Sequence, residues 1–387
     1  MTIALILLWW FSMVTTAAQV PSYYYTRLES GVATGAVCLD GSPPAYAYVE
    51  GYGTGSSSWM VYMEGGGWCF SLEDCINRSR TNLGSSKYEF IGNSPNFTSG
   101  ILDTDSRYNQ YFYNWHKVFV HYCDGSMFTS DIEHVDVSNN ITFRGGRIYK
   151  AVMEELLHKG MGNAHNAILT GTSAGGLTTI LYCDRFRALF PNTTRVKCIS
   201  DSGFFIHGEG ALASMSGRHF ARVIETNQLG SLLPKSCTSK RDPNLCLFPE
   251  YLVDDISTPL FIVETAFDLF QVKYNFIFTV PGLGPNQWGD CGQFLESCNS
   301  TKIGIIKDFG SIFLKTLLKL DKSSSRGMFI DSCYLHVQIV RENTWMCAPL
   351  LRNRTLEQAI GEWYFDRSSF QEIDNNTSPQ DCSSSLN

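Results

Sequence analysis

A serine lies between two glycines at residues 171–175, in the sequence GTSAG, which matches the pattern G-x-S-x-G. The apolar residues 166–170 before it predict a short strand, and residues 177–190 after it predict a helix. A tight turn between such a strand and helix holds the serine in a strained conformation and directs the free N–H groups of the helix towards its hydroxyl. The pattern therefore predicts that Ser173 is a nucleophile, against the alternative of a glycine-rich turn with an incidental serine.

A serine hydroxyl needs a neighbouring base to act as a nucleophile at neutral pH. Where this motif occurs in α/β folds, the chain order is serine, then acid, then histidine. His336 lies late in the sequence and is the candidate base. Asp268 follows the apolar run 259–264 and is the candidate acid, which we expect to orient His336 and to stabilise its imidazolium form.

Other residues compete for both roles. Asp290 and Asp331 remain alternative acids, whereas Asp254 and Asp255 precede the apolar run and fit less well. Two further histidines follow the serine closely, with no strand and acid between, and we expect structural roles for them: His207 and His219.

A run of glycines predicts where negative charge would be stabilised during acyl transfer. Residues 58–63 predict a buried strand, and the sequence EGGGW follows at residues 64–68. Lipases and esterases often place such a loop beside the nucleophile, with backbone N–H groups directed at the oxyanion. The candidate donors are the N–H groups of Gly66, Gly67 and Ala174, against the alternative that the glycines only form a tight turn.

The elements around these residues alternate between strand and helix. Further strands are predicted at residues 117–122 and 196–199, and another helix at residues 146–159. This alternation predicts an α/β fold of the α/β-hydrolase type, with a mostly parallel central sheet and helices on both faces. Residues 204–255 and about 280–300 break the alternation and predict lid-like insertions at one end of the sheet.

Composition predicts a globular protein. The chain has 387 residues, of which 44% are hydrophobic and 17% charged. The net charge of −7 and the absence of a basic run argue against a nucleic-acid partner. We expect one esterase domain over residues 19–373, acting as a monomer, and a polar, loosely ordered tail at residues 374–387.

The beginning of the sequence predicts export. An apolar run at residues 3–14 and small residues at 16–18 predict a signal peptide over residues 1–18. No later segment has the ~18 apolar residues that span a bilayer, so we expect a secreted protein without membrane contact after cleavage. Eight sequons predict a glycosylated surface: Asn77, Asn96, Asn140, Asn192, Asn299, Asn353, Asn375 and Asn376.

The 13 cysteines agree with an oxidising compartment. Four pairs at short spacing predict local disulfides: Cys69 with Cys75, Cys183 with Cys198, Cys237 with Cys246, and Cys291 with Cys298. Since no C-x-x-C pair occurs, a zinc site is not expected, and the predicted chemistry needs neither metal nor cofactor.

Long strings of the sequence, and not only the serine motif, match a known family. They include SSWMVYMEGGGWC, FYNWHKVFVHYCDGSMFTSD, GTSAGGL, VKCISDSGFF, SSSRGMFIDSCYLH and GEWYFDRSSF. Over residues 22–373 the sequence resembles plant pectin acetylesterases. The animal Notum carboxylesterases, which remove a fatty acyl group from Wnt proteins, belong to the same wider family, but the GGGWC and WYFDR segments look more like the plant branch.

The resemblance implies an α/β-hydrolase-like fold and the release of acetate from acetylated galacturonan in the cell wall. It places the family's serine, aspartate and histidine on Ser173, Asp268 and His336. One departure concerns the residue after the histidine, because plant members usually carry a cysteine there and this sequence has Val337. The missing cysteine implies that another is unpaired, with Cys347 and Cys382 as the candidates.

Three functions follow as hypotheses: a secreted pectin acetylesterase, a Notum-like hydrolase of fatty acyl esters, and a carbohydrate-binding protein without catalysis. In the last, surface aromatics would stack on sugars, and Trp59, Trp68 and Trp288 are candidates. Recognition of a galacturonate carboxylate would need a cation near the cleft, for which the candidates are Arg80, Arg144 and Lys273.

Overall fold

A computed structural model describes residues 25–88, 97–321 and 323–382. The predicted signal peptide and the sequon at Asn96 lie outside these residues. In the described ranges nine strands form one sheet: β1 (Tyr25–Arg27), β2 (Ala45–Val49), β3 (Ser58–Met63), β4 (His116–Val120), β5 (Asn166–Thr172), β6 (Arg195–Asp201), β7 (Leu260–Thr265), β8 (Gly327–Asp331) and β9 (Gln371–Ile373).

The strand order in the sheet is β1-β2-β4-β3-β5-β6-β7-β8-β9. Only the β1–β2 and β2–β4 pairs are antiparallel, and every other neighbouring pair is parallel. The prediction of a mostly parallel sheet is therefore confirmed. Since the carboxyl ends of parallel strands meet at one edge, the residues that follow β3, β5, β6, β7 and β8 lie close together.

Helices connect the strands of the described chain. They are α1 (Glu29–Ala33), α2 (Leu72–Arg78), α3 (Gly145–His158), α4 (Ala174–Arg187), α5 (Gly210–Thr226), α6 (Lys235–Thr238), α7 (Leu269–Tyr274), α8 (Pro285–Trp288), α9 (Ser300–Leu317), α10 (Glu342–Met346) and α11 (Leu356–Tyr364). The segment between β6 and β7 contains α5 and α6, and the segment after α7 contains α8 and several short 3₁₀ turns, where the sequence predicts insertions.

Apolar side chains bury both faces of the sheet. In β3, Trp59 and Val61 belong to the core that α3, α4 and α9 cover, whereas Met60 and Tyr62 belong to a second core on the other face, which α11 covers. Successive strand residues point to opposite faces, so a strand covered on both sides is apolar throughout. The predicted helix layers on both faces are confirmed.

All four predicted local disulfides are present, between Cys69 and Cys75, Cys183 and Cys198, Cys237 and Cys246, and Cys291 and Cys298. Two long-range disulfides join them, Cys38–Cys123 and Cys333–Cys382. Of the two candidates for an unpaired cysteine, Cys347 is the free one, and it is exposed. Seven of the sequon asparagines lie in the described ranges, and six of these are exposed: Asn77, Asn140, Asn192, Asn299, Asn353 and Asn375.

Two expectations need correction. Residues 374–382 do not form a loose tail, because Cys382 is bonded to Cys333, Ser332 donates a hydrogen bond to Asp374 at 2.5 Å, and the N–H of Tyr334 donates to the Gln380 carbonyl at 2.8 Å. The tryptophans proposed as surface platforms are buried, with exposed fractions of 2% for Trp59, 8% for Trp68 and 0% for Trp288.

In the described part of the chain, no helix is both long and apolar enough to cross a membrane.

Candidate active site

Ser173 occupies the turn between β5 and α4. Its φ of 55° and ψ of −122° are strained values for a residue with a side chain. The turn is held by a hydrogen bond of 2.8 Å from the Ser173 N–H to the Asp201 carbonyl and one of 2.9 Å from the Leu177 N–H to the Ser173 carbonyl. The predicted strand-to-helix turn around the serine is therefore present.

The second glycine of the motif is required by close backbone approach. A Cβ atom added at Gly175 would lie 2.0 Å from the Met63 carbonyl oxygen, at the carboxyl end of β3. No side chain fits at that distance, so glycine allows α4 to begin against the neighbouring strand. The glycine of the motif is therefore needed for the close packing of α4 against β3, in addition to the turn that positions the serine.

The structure brings the predicted serine, histidine and aspartate together. The Ser173 hydroxyl lies 2.8 Å from Nε2 of His336, and Nδ1 of the same ring lies 2.7 Å from Oδ2 of Asp268. With the carboxylate accepting from Nδ1–H, Nε2 keeps its lone pair and can accept the serine proton. The ring also stacks on Phe270, with centroids 5.0 Å apart.

Asp268 is placed by its own backbone as well as by the histidine. It is fully buried and caps the N-terminus of α7, where Oδ1 accepts a hydrogen bond of 2.7 Å from the Gln271 N–H. The Leu269 N–H donates to the Leu335 carbonyl at 3.2 Å, which joins the aspartate loop to the histidine loop. Each oxygen of the carboxylate therefore has one defined partner.

The candidate oxyanion loop lies directly beside the serine. Gly66 and Gly67 adopt φ values of 146° and 65°, in the region that favours glycine. Within the described residues, the N–H groups of Gly66, Gly67 and Ala174 have no hydrogen-bond acceptor. Unpaired N–H groups next to a nucleophile are what an oxyanion hole requires.

Glu64 fixes this loop to the sheet, and sequence reasoning gave it no role. Its Oε2 accepts a hydrogen bond of 2.8 Å from the Tyr122 N–H and lies 2.9 Å from Nδ1 of His121. The Tyr122 hydroxyl in turn donates to the Gly67 carbonyl at 2.8 Å. The only signal in the sequence was the position of Glu64, directly after a buried strand.

Asp201 and Ser202 hold the histidine loop and were also missed. Oδ2 of Asp201 accepts hydrogen bonds from the N–H groups of Gln338 at 2.7 Å and Ile339 at 2.9 Å. The Ser202 hydroxyl accepts from the Val337 N–H at 2.9 Å. These contacts fix the backbone that follows His336, and the signal for them was an aspartate at the carboxyl end of a strand.

The alternative acids lie elsewhere or have other partners. Asp254 pairs with Arg326 at 2.6 Å and Asp255 with Lys240 at 2.8 Å. Asp290 is exposed, and Asp331 is buried with its carboxylate accepting from the Cys333 N–H at 2.9 Å. None of the four contacts His336 through a hydrogen bond in the described structure.

The alternative histidines likewise do not reach the serine. Nδ1 of His207 lies 3.1 Å from the Tyr251 hydroxyl, and Nε2 of His219 accepts a hydrogen bond of 2.9 Å from Nε1–H of Trp68.

Ser173 opens into a cavity of about 420 Å³. The oxyanion loop, His336 and the aromatic side chains of Tyr62, Phe119 and Phe270 line it. Only 6% of the serine is exposed, so a substrate reaches the hydroxyl through this cavity.

Three buried carboxyl groups beneath the site give a prediction about pH. Burial raises the pKa of Asp201 to about 6 and that of Asp331 to about 7, and burial together with the charge of Asp268 raises the pKa of Glu264. In the unfolded chain such groups titrate near pH 4. Between about pH 4 and pH 7 these three groups therefore bind more protons in the folded protein than in the unfolded chain, so their contribution to stability falls as pH rises.

We expect the midpoint of thermal unfolding to fall when pH rises from 4.5 to 7.5, measured by differential scanning calorimetry. Each unit of raised pKa corresponds to about 1.4 kcal/mol. Asp331→Asn should flatten this dependence between pH 5 and 7, because the amide does not titrate. A midpoint that rises across the same range would contradict the expectation.

The chain is similar over most of its length to proteins of one known family. Residues 16–385 match the family described as Pectinacetylesterase. The chain is 42% identical over 352 residues to pectin acetylesterase 11 of Arabidopsis thaliana, covering 90% of this chain and 89% of that protein. It is 43% identical to pectin acetylesterase 7 of the same plant over the same coverage. A more distant relative is the palmitoleoyl-protein carboxylesterase notum1a of Danio rerio, 27% identical over 92% of this chain and 68% of that protein.

The family match spans nearly all of the described residues, and the plant relatives align over most of both chains. The segments around the strained serine, the histidine loop and the aspartate loop all fall within the matched range. The chain belongs to the pectinacetylesterase family and is a carboxylic ester hydrolase.

Proposed function

We propose that this protein is a secreted esterase that removes acetyl groups from the galacturonan of pectin through a covalent acyl-enzyme. The observation that carries the proposal is the chain of hydrogen bonds from Ser173 through His336 to Asp268, beside a loop with unpaired N–H groups. The names of the plant relatives supply the substrate class. Export agrees with the disulfides of the described chain.

Acylation begins when His336 accepts the Ser173 proton at Nε2 as the serine oxygen attacks the acetyl carbonyl carbon. The negative charge that develops on the carbonyl oxygen is stabilised by the N–H groups of Gly66, Gly67 and Ala174. Asp268 stabilises the imidazolium without taking its proton. The C–O bond to the sugar then breaks, and His336 donates the proton to the departing sugar hydroxyl.

Deacylation repeats these steps with water. His336 accepts a proton from a water molecule, which attacks the acetyl-serine, and the same N–H groups stabilise the second oxyanion. Collapse of this intermediate releases acetate and returns the proton to Ser173. Every proton in the cycle passes through Nε2 of His336, whose ring is fixed by Asp268 and by stacking on Phe270.

Removal of a fatty acyl group is the second candidate, because the Danio rerio relative is named a palmitoleoyl-protein carboxylesterase. A long alkyl chain needs an extended apolar pocket. The cavity that adjoins the serine pocket has apolar walls that include Phe70 and Met215, but it is also lined by Arg78, His219 and Arg222. Burying an alkyl chain against the guanidinium of Arg222 would remove water from that charge without supplying a partner, which is unfavourable.

We therefore expect p-nitrophenyl acetate to be hydrolysed with a higher kcat/KM than the corresponding octanoate and palmitate esters. The preferred polymer is found by comparing the rates of acetate release from acetylated polygalacturonan, acetylated xylan and acetylated mannan. The proposal requires acetylated polygalacturonan to give the fastest release. Faster turnover of the palmitate ester, with no acetate from polygalacturonan, would replace it with the fatty acyl function.

A further inference from the structure

A second cavity, of about 500 Å³, adjoins the pocket of the nucleophile. Gly66, Gly67 and Phe270 line both cavities, so the two share the oxyanion loop as a common wall. The remaining walls come from the loop before α2, from the end of α2, from α5, and from α7 and the turn that follows it. A polymer bound with one ester at Ser173 would extend into this space.

The charge of the cavity is opposite to that of the protein. The chain as a whole carries a net charge of −7, yet the cavity is lined by two arginines and contains no aspartate or glutamate among its lining residues. Arg222 lies on α5 with its guanidinium carbon 5.0 Å from the centre of the Phe70 ring. Among the described residues it pairs with no carboxylate, so its charge is available to a ligand.

Arg78 supplies a second, less exposed cation. Its Nε donates to the Leu83 carbonyl at 2.9 Å, and its guanidinium lies 4.9 Å from the centre of the Tyr122 ring. Its Nη2 is buried and has no hydrogen-bond partner among the described residues. Arg78 also lines the cavity, so its positive charge attracts an anion that binds there.

Neutral groups complete the lining. Because Nε2 of His219 accepts the Trp68 N–H, its Nδ1 carries the proton and is a donor. Tyr274 and Phe278 are 49% and 42% exposed at the mouth of the cavity. Exposed aromatic rings beside hydrogen-bond donors and cations are suited to a sugar that carries a carboxylate.

We propose, resting on the function proposed above, that this cavity is the subsite for a galacturonate carboxylate, with Arg222 and Arg78 as the cations that bind it. The three cations considered from the sequence do not fill this role: neither Arg80, Arg144 nor Lys273 lines the cavity. Arg144 faces Glu133 at 3.8 Å instead. The subsite selects de-esterified regions of pectin, where the carboxylates are free.

The test measures binding apart from catalysis. Calorimetric titration of the Ser173→Ala variant with an unacetylated galacturonate oligomer gives the affinity of the subsite. Addition of Arg222→Gln should weaken this binding about tenfold, the effect of losing one hydrogen bond between charged groups. Arg241→Gln is the matched control, because Arg241 lies 5.5 Å from the Tyr251 ring in the same stacked manner but does not line the cavity.

A fully methyl-esterified oligomer is the second probe, since it has the same sugars without the charge. It should bind weakly, and with equal affinity, to the Ser173→Ala variant with and without Arg222→Gln. Loss of affinity for the methyl ester as large as for the acid, or no loss for the acid, would overturn the subsite. The two proposals can fail separately. If the oligomer binds through Arg222 but the parent enzyme releases no acetate from acetylated polygalacturonan, the proposed function is wrong and the carboxylate subsite is retained.

Discussion

Replacement of Ser173 by alanine is expected to lower kcat on acetylated polygalacturonan and on p-nitrophenyl acetate by about 10⁴- to 10⁶-fold. The hydroxyl is the atom that forms the acyl-enzyme, and no other serine or cysteine side chain lies within hydrogen-bonding distance of His336 in the described structure. The residual rate would come from binding and the oxyanion loop.

The control is the folded state of the variant. Ser173 adopts a positive φ, which alanine tolerates no better, so the thermal midpoint should remain close to that of the parent protein. Incubation of the parent with a fluorophosphonate should label Ser173, and the variant should not be labelled. Acetate release by the variant at the rate of the parent would remove Ser173 from the mechanism.

Replacement of Asp268 by asparagine is expected to lower kcat by about 10⁴-fold with little change in KM. An amide that donates towards Nδ1 of His336 stabilises the wrong tautomer and leaves no negative charge for the imidazolium. Asparagine can still accept the Gln271 N–H through its own oxygen, so the cap of α7 is retained. The substitution should therefore lower activity through the catalytic site and not through loss of the helix cap.

Asp290→Asn is the matched control for this experiment. It removes the same charge from an exposed position that was itself an alternative acid in the sequence, and it should leave kcat unchanged. Equal losses in the two variants would show a general effect of charge. A loss confined to Asp290→Asn would assign the acid to that residue.

The sequence predicted the local parts of this site well, and the reason is spacing. The strand predicted at residues 58–63 is β3 with the same bounds, and GTSAG lies at the turn between β5 and α4. Disulfides separated by 6 to 15 residues were confirmed as pairs. In each case the interacting residues are close in the chain, so their spacing in the sequence predicts the contact directly.

Apart from the grouping of the serine, aspartate and histidine, which the chain order typical of the motif predicted, contacts between distant parts of the chain were not predicted. The disulfide from Cys38 to Cys123 spans 85 residues, and nothing in its spacing indicates the pair. Arg78 on α2 and Arg222 on α5 line the same cavity. They are close only because the insertion that contains α5 packs against the oxyanion loop. Exposure was misjudged for the same reason, as Trp288 is fully buried although the segment around it resembles a surface loop.

The bond between Cys333 and Cys382 has a consequence for the order of assembly. Cys333 lies three residues before His336, and its partner is synthesised after every residue of the site. The loop that carries the general base is therefore fastened only when residue 382 has left the ribosome and both thiols have been oxidised. A chain shortened before that cysteine would contain the whole triad, yet it would lack the covalent link that holds the histidine loop in place.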